Sequence, residues 1–74
     1  MPDQNEWETK AANLLKAELK RQGVTYAGLV DKLETIGISE KEVNVRNKLS
    51  RGKFTAAFLL QCLEAIGSSQ LRLD

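Results

Sequence analysis

Residues 24–39 read VTYAGLVDKLETIGIS and predict one complete helix together with its end. Thr25 is a favoured N-cap residue, because its hydroxyl can accept a hydrogen bond from a free backbone N–H at the helix start. The apolar residues that follow recur at helical spacing; they are Leu29, Val30, Leu33 and Ile36. Gly37 then permits the left-handed turn in which many helices end. We therefore predict a helix over residues 25–36.

The next segment carries the pattern of a second helix start. Ser39 and Glu42 have the S-x-x-E spacing of a capping box. Ile38 and Val43 occupy the positions of the hydrophobic staple that often surrounds such a box. We therefore predict a helix over residues 39–51, joined to the preceding helix by a short turn.

Four glycines divide the chain into four predicted helices. Each follows a segment of helical periodicity; they are Gly23, Gly37, Gly52 and Gly67. The outer predicted helices span residues 6–22 and 55–66. Residues 1–5 are expected to form a flexible N-terminus, and residues 68–74 a short C-terminal tail that is either frayed or held as an extension. Since 74 residues support only one small core, we predict a compact all-α four-helix domain, containing a helix-turn-helix, over residues 6–67.

The apolar positions at helical spacing are expected to form the core. They are Leu15, Leu19, Leu29, Leu33, Val45, Leu49, Phe58, Leu59, Leu63 and Ile66. The fourth helix is apolar around most of its circumference and is expected to be central. Cys62 should be a buried thiol within it. On the first helix, Glu18 is expected at the rim of the core and Trp7 as a cap over its edge.

The composition argues against an enzyme. The chain has no histidine and a single cysteine, so the commonest general base and the commonest zinc ligands are missing. Its carboxylates do not cluster along the sequence as paired-carboxylate chemistry requires. We expect a binding domain with no catalytic residue, metal or cofactor. The acidic first residues and the lack of an apolar run of ~20 residues predict a cytoplasmic protein without a membrane partner.

The cations are unevenly placed, although the net charge is only +1. Residues 43–53 contain four cations and no acid. If Val45 and Leu49 form a buried seam, the polar residues of this helix face outward together. Asparagine can pair with adenine, and arginine or lysine with guanine or phosphate. The predicted nucleic-acid-binding residues of this segment are Asn44, Asn47, Lys48, Arg51 and Lys53.

VTYAGLVDKLETIGIS, NKLSRGK and FLLQCLEAIG together resemble the lambda-repressor-like (Xre/Cro type) helix-turn-helix over about residues 15–67. The resemblance implies a DNA-binding domain in which Thr25 and Tyr26, at the start of the second helix, lie near the DNA backbone. Tyr26 is also expected to pack half-buried with its hydroxyl in solvent. The segments on both sides of Gly37 are about three residues longer than in that family, which is nearly one helical turn.

The chain as a whole also resembles a group of small uncharacterised bacterial proteins that share KAELKR, SRGKF and LLQCLEAIG elements. That resemblance implies no activity. We therefore expect a domain that binds nucleic acid, duplex DNA in the first place, and acts in transcription regulation, with homodimer formation left open. The alternative is a protein-interaction module, such as a small adaptor or antitoxin-like subunit, that uses the first helix or the Leu71/Leu73 tail. The low net charge supports this alternative.

Overall fold

The computed structural model describes residues 4–73 and folds into four helices. They are α1 (Gln4–Gln22), α2 (Tyr26–Thr35), α3 (Glu42–Arg51) and α4 (Ala56–Ala65). Residues 4–73 contain no strand, and the predicted all-α fold class is confirmed. Gln4 and Asn5, which were expected in a flexible N-terminus, belong to α1. The same expectation for residues 1–3 falls outside the described residues.

Threonine caps begin α2 and α4. The Thr25 hydroxyl accepts a hydrogen bond from the Gly28 N–H at 3.0 Å, and the Thr55 hydroxyl accepts one from the Phe58 N–H at 2.9 Å. Each bond satisfies an amide that has no partner within the first turn of its helix. The predicted N-cap at Thr25 and the predicted start near Thr55 are therefore confirmed.

A left-handed glycine turn ends α1, α2 and α4. After α2, Gly37 adopts a φ of +85°, and the Ile38 N–H donates to the Leu33 carbonyl at 2.9 Å. This is the Schellman motif, which satisfies carbonyls left free at a helix end. The same motif follows α1 at Gly23 and α4 at Gly67. Because glycine alone takes a positive φ without steric cost, these residues indicated the helix ends correctly.

The start of α3 differs from the prediction. The helix begins at Glu42 rather than Ser39, and its N-cap is Lys41. The Lys41 side chain makes no capping hydrogen bond in the described part of the chain. The predicted capping box is therefore wrong. The segment that joins α2 to α3 spans residues 36–41 and is not a short turn.

The end of α2 explains this difference. Ile38 is the residue whose N–H closes the Schellman motif, and its side chain packs against the core. Val43, its predicted staple partner, is 51% exposed. Because Ile38 is part of the α2 cap, it does not form a staple with Val43 around Ser39. The first turn of α3 therefore begins only after the residues of that cap.

All four helices contribute to the core. Every predicted core residue is buried except Leu59, which is half-buried, and Ala12 and Cys62 are buried as well. The helices pack in the order α1 against α3, α3 against α2, and α2 against α4. The prediction that α4 is central and packed by the other three helices is therefore wrong, because α4 packs mainly against α2 and leaves Leu60 65% exposed.

Two side chains of α1 also correct the predictions. Trp7 is 64% exposed, with the Lys10 ammonium 5.8 Å from its ring centroid, so it does not cap the core. Glu18 is only 5% exposed instead of lying at the rim. It accepts hydrogen bonds from the Arg21 guanidinium at 3.0 Å and the Ser68 hydroxyl at 3.3 Å. A buried carboxylate requires such partners, and this one fastens the start of the tail to α1.

The tail has no regular secondary structure over residues 68–73. Leu71 packs against the core, whereas Leu73 is 65% exposed. The described part of the tail is therefore held on the domain at Ser68 and Leu71, as an extension rather than a frayed end.

Candidate nucleic-acid interface

The outer face of α3 presents polar side chains to solvent. Val45 and Leu49 are both 0% exposed and fix the orientation of the helix. At about 100° per residue, Asn47 lies opposite this buried seam, and Asn44 and Arg51 lie beside Asn47 on the same outer face. All three are exposed. We refer to Asn44, Asn47 and Arg51 as the α3 ridge.

Arg51 is the cation of the α3 ridge. It makes no ion pair with any residue of the described chain. It lies in the last turn of α3, where the free carbonyls favour a positive charge. Its planar guanidinium can donate two parallel hydrogen bonds to a phosphate or to the edge of a guanine. Arg51 is therefore available to an anionic partner.

Lys48 points away from the α3 ridge. Its ammonium lies 2.8 Å from the Glu40 carboxylate and 4.4 Å from the centroid of the Phe58 ring. The hydrogen bond from Lys48 holds the pKa of Glu40 below its ordinary value and outweighs the opposing effect of burial. The Glu40 side chain is 12% exposed and the Lys48 side chain 37%. The outward direction predicted for Lys48 therefore does not hold, whereas it holds for Asn44 and Arg51.

The other two cations of residues 43–53 also have acidic partners. Arg46 donates to Glu42 at 2.7 Å, and Lys53 contacts Glu8 of α1 at 3.2 Å. Both pairs leave the cation more than half exposed, at 55% for Arg46 and 61% for Lys53. Residues 43–53 contain four cations and no acid, yet in the described structure acids from nearby segments pair with every one of these cations except Arg51.

Gly52 brings the end of α3 directly against the backbone of α1. Its φ is +70°, and a methyl group placed on it would lie 2.6 Å from the carbonyl carbon of Glu8. Real Cβ atoms do not approach a backbone so closely, and only glycine combines this contact with a positive φ. The R-G-K element therefore places Lys53 beside Glu8 through helix packing.

Thr25 and Tyr26 line a concave surface between α1 and α2 that includes no residue of the α3 ridge. This surface encloses about 370 Å³ and is lined by Lys16, Leu19, Lys20, Val24, Thr25 and Tyr26. We refer to it as the α1–α2 notch. Tyr26 is half-buried and packs against the core, as predicted. The sequence analysis did not select Lys16 and Lys20, although their spacing places both on one face of a helix.

The described residues offer little for metal or thiol chemistry. Burial raises the pKa of the Cys62 thiol to about 12, and the prediction of a buried thiol is confirmed. Among the described residues, no group of three or more cysteine or carboxylate side chains is arranged to hold a metal ion. Within the same part of the chain, every helix is too short or too polar to cross a bilayer.

The chain belongs to the family described as Domain of unknown function (DUF6471), whose model matches residues 7–71. The match includes all of α2, α3 and α4 and most of α1. The α3 ridge and the α1–α2 notch are thus both parts of the family domain. Neither the curated proteins nor the solved structures gave a match.

Proposed function

We propose that this domain binds nucleic acid, duplex DNA in the first place, through the α3 ridge. The observation that carries the proposal is a solvent-facing row of two amides and a guanidinium without an ion pair in residues 4–73, on a helix whose opposite seam is fully buried. Asn44 and Asn47 have the donor and acceptor pair that can read an adenine edge, and Arg51 can contact guanine or phosphate. The fixed seam holds these side chains in one orientation.

The resemblance to lambda-repressor-like domains supports the same partner. In both cases a threonine- or serine-capped helix precedes the helix that carries the polar face, and here Thr25 caps α2 before α3. The longer link over residues 36–41 separates this domain from the close helix-turn-helix geometry of that family. The proposal therefore rests on the chemistry of the α3 ridge. Transcription regulation in the cytoplasm is the role that such a domain would serve.

The charge distribution sets the expected strength of binding. Nonspecific affinity for DNA comes mainly from phosphate contacts that release counterions. The α3 ridge contributes one unpaired cation, and the net charge of the chain is +1. We expect binding to random duplexes that is weak and strongly reduced by salt.

An NMR titration with a random-sequence duplex, at low and at physiological salt, tests the proposal without assuming a target. The backbone amides of residues 44–51 should shift most at low salt, and the shifts should shrink as salt is added. Amides of α4 serve as an internal control, because α4 packs mainly against α2 and contributes no residue to the α3 ridge. The absence of any shift at low salt would contradict the proposal.

A protein-interaction module is the second candidate. Three large apolar side chains are about two-thirds exposed: Trp7 at 64%, and Leu60 and Leu73 at 65% each. A protein partner could bury side chains of this kind, and the paired cations of α3 fit a surface that does not need a polyanion. If DNA shifts no amide while sedimentation shows self-association that Leu60→Ser abolishes, this candidate replaces the first.

A further inference from the structure

We infer that the α1–α2 notch is a second contact surface for the nucleic acid, at which Lys16 and Lys20 bind phosphate groups of the backbone. The inference rests on the proposed function and extends the interface from α3 to α1. It assigns a role to two residues outside the basic segment of the sequence.

The first observation is a pair of like charges without local compensation. Lys16 and Lys20 lie four positions apart on α1, where equal charges repel and destabilise a helix. No acid stands three or four positions from either lysine. Neither lysine forms an ion pair within residues 4–73. By contrast, the next cation along α1, Arg21, is paired with Glu18 at 3.0 Å.

The second observation is the shape and chemistry of the wall between the lysines. Leu19, Val24 and Tyr26 line the notch beside the lysines, and all three pack against or within the core. Such a wall excludes water on one side and strengthens the interaction of an ammonium with an anion. A concave surface lined by two lysines fits a phosphate, which lysine binds as a point charge.

The notch also has the features of a contact that is independent of base sequence. Its polar lining residues are two lysines, a threonine and a tyrosine, with none of the asparagine or glutamine amides that read an adenine edge. The Thr25 hydroxyl already accepts the bond from Gly28 and can still donate its own hydrogen to a phosphate oxygen. The partner assigned to the notch is therefore the backbone, while the α3 ridge is assigned the bases.

The test measures affinity for a random duplex by fluorescence anisotropy across a salt series. Lys16→Gln and Lys20→Gln should each reduce the slope of log K against log salt by about 1, the effect of losing one phosphate contact. Lys32→Gln is the matched control, because Lys32 is an exposed lysine of α2 that makes no ion pair within the described chain and lies outside the notch lining. Its slope should equal that of the wild type.

Two outcomes separate this inference from the proposed function. If the wild type binds the duplex and the notch variants behave like Lys32→Gln, the notch inference is wrong and the α3 proposal stands. If no duplex binding is detected, sodium phosphate is titrated against sodium chloride at equal ionic strength. Amide shifts at residues 24–26 that are specific to phosphate and lost in Lys16→Gln would then support the notch alone, and their absence would overturn it.

Discussion

Two basic regions of this domain differ in what the fold does with their charges. Residues 43–53 have the higher density of cations in sequence, yet acids from α1, from the α2–α3 link and from α3 itself pair with all of them except Arg51. The α1–α2 notch has only Lys16 and Lys20, and neither is paired in the described structure. The availability of a cation to a polyanion thus depends on pairing in space and not on density along the chain.

The pairs around α3 also differ among themselves. Lys53 is 61% exposed and lies 3.2 Å from Glu8, whereas Lys48 is 37% exposed and lies 2.8 Å from Glu40, so a phosphate can reach Lys53 more easily. Lys48 is held more firmly, because it has a mostly buried carboxylate on one side and the Phe58 ring on the other. We therefore expect Lys53 to join an interface more readily than Lys48.

The largest expected effect is the loss of stability in Gly52→Ala, at the contact between α3 and α1, and Gly67→Ala is the reference variant. Gly67→Ala should cost ~1–2 kcal/mol, because alanine is strained at its φ of +75° but meets no neighbouring atom. Gly52→Ala has a similar φ and also places its methyl group against the Glu8 backbone. It should cost a further ~1–3 kcal/mol for the displacement of α1. Chemical denaturation of the two variants measures the difference, and equal losses would contradict the close approach of α1 and α3.

The next effect compares two helix starts. Thr55→Ala should lower the free energy of unfolding by ~1 kcal/mol, because it removes the acceptor of the Phe58 N–H. Ser39→Ala should change it little, since Ser39 is exposed and precedes the Lys41 N-cap. Urea midpoints of both variants provide the measurement. A loss at Ser39 as large as at Thr55 would restore the capping box that the sequence suggested.

The pair of Lys48 and Glu40 should make stability depend on pH. The pKa of Glu40 is lower in the fold than its ordinary value of 4.5, so the pair stabilises the fold above that value and loses its contribution as the pH falls through the folded-state pKa. Lys48→Met should therefore destabilise the domain by roughly 1 kcal/mol near neutral pH and by less in acid. Lys32→Met, at an exposed position of α2 with no ion pair in the described chain, is the control for loss of charge. A deficit for Lys48→Met that stays constant in acid would show that packing, not the ion pair, was lost.

The smallest expected effect lies in the notch. Lys16→Gln should raise the free energy of unfolding by ~0.2–0.5 kcal/mol in low salt, because it removes the repulsion from Lys20. The gain should vanish at high salt, where charges are screened. Thermal unfolding at two salt concentrations measures it. A loss of stability in low salt would mean that Lys16 already has a stabilising partner.

The helices and most of the core could be predicted from the sequence because their signals are local. Gly23, Gly37 and Gly67 end their helices through bonds that span only a few residues, and apolar spacing selects the buried face. The start of α3 could not be predicted in this way. Both the Schellman motif after α2 and the predicted staple of α3 use Ile38, and in the structure Ile38 closes the Schellman motif.

The candidate interface was less predictable, because contacts between residues that are distant in sequence decide which of its cations are paired with acids. Lys53 and Glu8 are separated by 45 positions, and Lys48 reaches Glu40 across the start of its own helix. No local pattern shows which cations such contacts neutralise. The α3 ridge was predictable, since Val45 and Leu49 fix it, whereas the notch required the packing of α1 against the start of α2.

The salt dependence of binding to a random duplex tests the α3 proposal most directly. Arg51→Gln is compared with the charge-neutral double variant Glu40→Gln/Lys48→Gln, which removes the paired lysine together with its acid. The account predicts a slope reduced by about 1 for Arg51→Gln and an unchanged slope for the double variant. Absence of wild-type binding at low salt, or an Arg51→Gln slope equal to that of the wild type, would contradict it.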